Sequence, residues 1–182
     1  MGGATVALAE GKHPGLMGRA VLIDPIILPP QVYGIPITCA QQPMAAKTIH
    51  RRYEWDSREQ MIGTYSKKFP FKTWRPDQLE LYVHYGTEDL PGGGVRLKCS
   101  PRIEADCYLG GHKCSPWPYL PEIKIPVLIL RGTGTDTVGA VDMPKILSLL
   151  PRARFVEMPG THFLPMEDPK GVIQRINMFI DE

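Results

Sequence analysis

Residues 1–25 read MGGATVALAEGKHPGLMGRAVLIDP, a helix of small residues running directly into a strand. Gly3, Ala4, Ala7 and Ala9 fill the segment 2–12, which ends near Gly11, and side chains this small let a helix lie close against a sheet. The stretch 19–24, RAVLID, has a continuous rather than alternating apolar run. Such a run marks a strand covered on both faces, the condition of a parallel sheet with crossover helices. Asp24-Pro25 stops the strand, and Pro29-Pro30 lead the chain away.

The same rhythm returns at residue 123. A second buried strand is expected over 125–130, IPVLIL, followed by the loop Arg131-Gly132-Thr133-Gly134-Thr135-Asp136. An amphipathic helix is expected over 143–150 and a third strand over 153–158, followed by Pro159-Gly160-Thr161-His162-Phe163. Asp168 opens a final helix whose Val172, Ile173, Ile176, Phe179 and Ile180 fall on one face. Strand and helix in alternation give an α/β class. The expected organisation is a core of residues 1–30 and 123–182, interrupted by a helical insertion over 31–122. Within the insertion, helices are expected over 43–53, 57–67, 76–86 and 101–108, with a short strand at 95–98. Ser57 and Gln60 have the spacing of a capping box. Aromatic residues concentrate in the insertion, enough to glue a small helical layer and to line part of a pocket.

Composition narrows the partners. The 182 residues are 43% hydrophobic and 22% charged with a net charge of +2, which suits one globular domain with an insertion. The longest basic pairs, Arg51-Arg52 and Lys67-Lys68, are not the footprint of a nucleic-acid or anionic-membrane binder. No apolar run reaches the ~18 residues of a membrane span, and the N-terminal stretch lacks a secretory pattern. Cys39, Cys99, Cys107 and Cys114 are too irregularly spaced for a zinc site, and His112 beside Cys114 supplies no second pair. They read as free thiols in a reducing cytoplasm. Gly132 to Gly134 lack the third glycine of a dinucleotide fingerprint.

In parallel α/β sheets, ligands bind beyond the carboxyl ends of the strands. Asp136 and His162 sit there, on the loops after the second and third strands. A carboxylate bonded to one imidazole nitrogen fixes the tautomer and leaves the other nitrogen as a base. The alternative readings are an Asp136 that caps the next turn and a His162 that is a satisfied loop residue. No serine supports the pair: Ser57, Ser66, Ser100, Ser115 and Ser148 all lack the glycines of G-x-S-x-G.

A resemblance supplies the missing part. MGGA at 1–4 resembles the second half of G-H-S-M-G-G, the nucleophile elbow of α/β-hydrolase-fold enzymes. IPVLILRGTGTDTV at 125–138 resembles their acid-bearing strand and loop, and MPGTHFLPMEDP at 158–169 resembles their histidine loop. RRYEWDSREQMIGTYSKKFPFKTWRPDQLELYVHYG at 51–86 is similar to the lids of a broad group of these hydrolases. The resemblance implies the C-terminal part of a mostly parallel hydrolase sheet with an inserted helical cap, beginning just after the nucleophile. It implies Asp136 as the acid, with Asp24 as the alternative acid position, and His162 as the general base. Met1 falls where a backbone N–H would help form the oxyanion hole. The implied activity is hydrolysis of an ester-like bond in a small apolar acyl substrate, with no metal or organic cofactor. The chain alone, lacking the serine, is expected to be inactive, and an exposed edge on the first strand implies an oligomer or a missing N-terminal half. The competing expectation is a non-catalytic remnant or small-molecule-binding module.

Overall fold

The computed structural model describes residues 1–135 and 142–182. In chain order its elements begin with α1 (Gly2–Lys12), β1 (Ala20–Ile23), α2 (Pro43–Thr48), β2 (Glu54–Trp55) and α3 (Arg58–Tyr65). There follow α4 (Pro76–Gly86), β3 (Thr87–Asp89), β4 (Val95–Leu97) and α5 (Pro101–Gly110). The chain closes with β5 (Val127–Gly132), α6 (Met143–Leu149), β6 (Ala153–Met158), α7 (Leu164–Glu167) and α8 (Pro169–Ile180). Two compact units result: residues 1–34 with 114–182, and residues 35–113.

The first unit is a parallel sheet in the order β1-β5-β6, with Leu22 opposite Ile129 and Ile129 opposite Phe155. Central β5 is buried on both faces, which is why its sequence is apolar without alternation. One face carries Ala20, Leu22, Val127 and Ile129 into a core with Ala7, Leu120 and Ile146. The other presents Leu128 and Leu130 to Met158, Leu164, Val172 and Phe179. Helix α1 meets the chain closely. A Cβ at Gly3 would stand 3.0 Å from Pro25 Cβ, and one at Gly11 would stand 2.5 Å from the Tyr119 carbonyl oxygen. Buried Glu10 then ties down the exit from α1, accepting from the backbone N–H of Gly15 at 2.8 Å and of Met17 at 2.9 Å. The final helix begins at Asp168, whose carboxylate accepts from Gly171 N–H at 3.0 Å.

The second unit packs α2 to α5 with a small antiparallel sheet in the order β2-β4-β3. Trp55, Met61, Tyr65, Leu79, Val83, Val95 and Leu97 form its core. Tyr65 stacks on Phe71 with ring centroids 4.2 Å apart. Arg51 threads this cluster: it donates to Tyr65 Oη at 3.0 Å, to Tyr82 Oη at 2.7 Å and to Glu104 Oε2 at 2.8 Å. Burial opposes the Arg51 charge, but the two tyrosines outweigh it and hold the guanidinium above its ordinary value. Tyr65 itself is pushed up by burial, with Arg51 opposing. Tyr82→Phe leaves a half-buried guanidinium one acceptor short. It is expected to destabilise the protein by about 1–2 kcal/mol in urea unfolding, with no change in helix content.

Local differences from the sequence reading have physical reasons. The helix expected over 43–53 ends at Thr48, because Arg51 turns inward to the tyrosines and Glu54 and Trp55 pair with β4. Ser57 caps α3 through Gln60 N–H at 3.2 Å, but the Gln60 side chain reaches the N–H of Asp56 at 3.3 Å rather than that of Ser57. Strands β2 and β3 are two and three residues long, too short to leave a period in the sequence. Among the described residues no helix is long and apolar enough to cross a membrane.

Candidate functional site

The carboxyl ends of β1, β5 and β6 converge on one constellation. Strand pairing of β5 with β6 continues past the strands: Thr133 N–H donates to the Met158 carbonyl at 2.9 Å and Gly134 N–H to the Gly160 carbonyl at 2.8 Å. The histidine loop is thereby laid against the end of β5. Only glycine permits this at 132, since a Cβ there would overlap the carbonyl oxygens of Thr161 and Gly160. Gly160 has φ +140°, a conformation that side chains of L-residues rarely adopt.

Glu167 holds the same loop from the other side. Its carboxylate accepts from Thr161 N–H and from Thr161 Oγ1, both at 2.6 Å, and Thr161 Oγ1 accepts from Phe163 N–H at 3.2 Å. His162 is fixed between these contacts. Its Nδ1 lies 2.7 Å from Asp24 Oδ2, and Thr135 Oγ1 donates to the same oxygen at 2.6 Å. Asp24 is 2% exposed and His162 22%. The backbone of Asp24 is set by its N–H, which donates to the Leu130 carbonyl at 2.7 Å, and by φ +42°. Aspartate is among the residues that tolerate this left-handed region, and strain of this kind is typical of functional sites. An ionised Asp24 accepts the Nδ1–H of His162, so Nε2 is left as the basic nitrogen.

Of the sequence-predicted residues, the structure brings together Asp24 and His162. Asp136, expected as the acid, lies outside the described residues. Met1 caps the N-terminus of α1, where its carbonyl accepts from Thr5 N–H at 3.1 Å. Burial pushes its α-ammonium below the ordinary value, and the charge of Asp24 pulls the other way. Sequence reasoning missed Thr135, Glu167 and the packing role of Gly132. A hydroxyl directly before the expected acid, and a carboxylate five residues after His162, were the available signals. Among the described residues no three His, Cys, Asp or Glu side chains gather closely enough to hold a metal ion.

No protein-family model matches the chain, and a search of the curated proteins finds no match. Solved structures do match. E-2-(acetamidomethylene)succinate hydrolase superposes with a TM-score of 0.78 at 21% identity, over 100% of this chain and 64% of that one. The peroxisomal α/β-hydrolase Lpx1 of Saccharomyces cerevisiae gives 0.79 at 17% identity, over 98% and 49%. The chain has the α/β-hydrolase fold. An esterase of M. tuberculosis gives 0.67 at 19% identity, over 99% and 60%. The chain thus spans about half to two thirds of the length of the α/β-hydrolase structures it matches. In this fold β1, β5 and β6 are three strands of one parallel sheet, and the Asp24–His162 pair sits at their carboxyl ends.

Proposed function

We propose that this chain carries the acid and the base of a serine hydrolase that cleaves an ester-like bond, with His162 as general base. The observation that carries the reading is the 2.7 Å contact between His162 Nδ1 and buried Asp24 Oδ2 at the carboxyl end of a parallel sheet. The acid is Asp24, with Asp136, from the loop after β5, as the competing carboxylate.

In the proposed reaction a serine hydroxyl attacks the substrate carbonyl carbon while its proton passes to His162 Nε2. Asp24 stabilises the imidazolium that results. The tetrahedral oxyanion is held by backbone N–H groups, that of Met1 among them. Collapse expels the alcohol, which leaves with the proton from Nε2. Water then gives a proton to Nε2, attacks the acyl-enzyme carbonyl and frees the acid and the serine. No residue of the 182 presents a G-x-S-x-G serine, so the proposed reaction needs a serine that these residues do not supply. The same absence favours one other reading, a hydrolase-like module that binds without catalysing.

The two readings separate in one assay. The 182-residue chain alone is expected to hydrolyse p-nitrophenyl acetate no faster than its His162→Ala variant. Joined to an upstream α/β segment ending in Gly-x-Ser, it is expected to turn over the ester, with the activity lost in His162→Ala. A joined protein that folds and binds substrate without turnover would leave the binding module as the correct reading.

A further inference from the structure

We propose that the first unit has a second ligand site, a cleft at the amino ends of its strands that binds the phosphate of a small organic phosphomonoester. The cleft encloses about 390 Å³ and is lined by Arg19, Arg152, Arg154, Pro126, Phe179 and Glu182. Arg19 precedes β1, Pro126 precedes β5, and Arg152 and Arg154 flank the start of β6. His162 and Asp24 lie at the opposite ends of the same strands. Across the six residues of β5 that is ~20 Å, so a ligand here does not meet the Asp24–His162 pair.

Three guanidiniums from two distant parts of the chain line a space with one acidic side chain, Glu182. Among the described residues each spends a single hydrogen bond: Arg19 on the Phe179 carbonyl at 2.6 Å, Arg152 on the Lys124 carbonyl at 3.3 Å, and Arg154 on Glu182. Each guanidinium carries several N–H donors in a planar fork, so most of the donors remain open. Arg19 also stands over the Phe179 ring, 5.7 Å from its centroid. Its bond to a carbonyl of the last turn of α8 orients it before any ligand arrives, which lowers the entropic cost of binding. The Arg154–Glu182 pair is 58% and 47% exposed, so water screens it and a competing anion can replace it.

These features select the ligand. A carboxylate offers one charge and two oxygens, which Glu182 already presents to Arg154. A phosphomonoester brings nearly two charges and three strong acceptor oxygens, enough to engage all three arginines. The Phe179 ring and Pro126 give an apolar side against which the organic group can lie.

The test uses the 182-residue chain and phenyl phosphate, followed by calorimetry and by the Nε–Hε resonances of the arginines. Saturable binding with a Kd on the order of 0.1–1 mM is expected, weakening as salt rises. Arg152→Gln is expected to weaken binding about tenfold without altering the fold, because Arg152 holds only one long hydrogen bond. Arg19→Gln is expected to do the same, and Arg152→Lys to recover part of the loss. A parallel arm measures co-sedimentation with phosphatidylcholine vesicles with and without phosphatidic acid. Arginine-dependent binding of soluble phenyl phosphate, or of phosphatidic acid vesicles alone, supports the site and tells a free metabolite from a lipid headgroup. The proposal is overturned by no saturable binding of either up to about 10 mM, by benzoate binding equally well, or by binding unchanged in Arg152→Gln.

Discussion

Asp24→Asn is expected to lower kcat of the serine-supplied hydrolase by about four orders of magnitude, the scale seen when a triad carboxylate is made an amide. The reason lies in the hydrogen bond. The carboxylate accepts the Nδ1–H of His162, whereas an amide nitrogen in the same place donates and drives the ring toward the opposite tautomer, with its proton on the nitrogen that should be the base. Two measurements check this. Burst and steady-state hydrolysis of p-nitrophenyl acetate give kcat, and 15N spectra of the 182-residue chain give the His162 tautomer without any turnover. Asp136→Asn made beside it decides between the two carboxylates. A larger loss of kcat at Asp136 than at Asp24 would reverse the assignment. Thermal melts of both variants separate a catalytic loss from a folding loss, since Asp24 also accepts from Thr135 inside the fold.

Gly132→Val is expected to destabilise the protein by about 3 kcal/mol or more, lowering the melting temperature by about 6–12 °C. A Cβ at 132 overlaps the carbonyl oxygens of Thr161 and Gly160, so either the end of β5 or the histidine loop must move. Backbone cannot yield as a flexible side chain can, and the ladder from Thr133 to Met158 and from Gly134 to Gly160 goes with it. Gly134→Ala is the control: its Cβ would stand 3.3 Å from the Gly160 carbonyl, a tight contact that a small shift relieves. Its cost is expected below about 1 kcal/mol. Equal melting temperatures for Gly132→Val and Gly134→Ala would sink the packing argument.

The parallel sheet was legible because burial on both faces writes itself into composition. Val127 to Leu130 cannot alternate when each residue meets a helix or a neighbouring layer. The α1 helix was legible for a related reason, since Gly11 stands where the chain allows no Cβ and Gly3 where one would be crowded. Strands β2 and β3 were not legible. Two or three residues carry no period, and Glu54 pairs with Arg96 because Trp55, Val95 and Leu97 share a core. The site was half legible. His162 stood out by its place after a strand, but the choice between Asp24 and Asp136 rests on which carboxylate reaches Nδ1. That distance depends on the turn after β1, where one aspartate takes φ +42°.

The sequence by itself determined the α/β class and the residue types available for acid–base chemistry. Periodicity and turn residues act over a few neighbours, and those are visible along the chain. Only the tertiary structure decided that Asp24 lies 2.7 Å from His162, that Glu167 steadies the loop carrying His162, and that Arg19 joins Arg152 and Arg154. The Asp24–His162 and arginine meetings span separations that local patterning does not encode, whereas the Thr161–Glu167 clamp closes over six residues. They arise because β1 pairs with β5 and β5 with β6, which brings strand ends far apart in sequence to the same edge of one sheet.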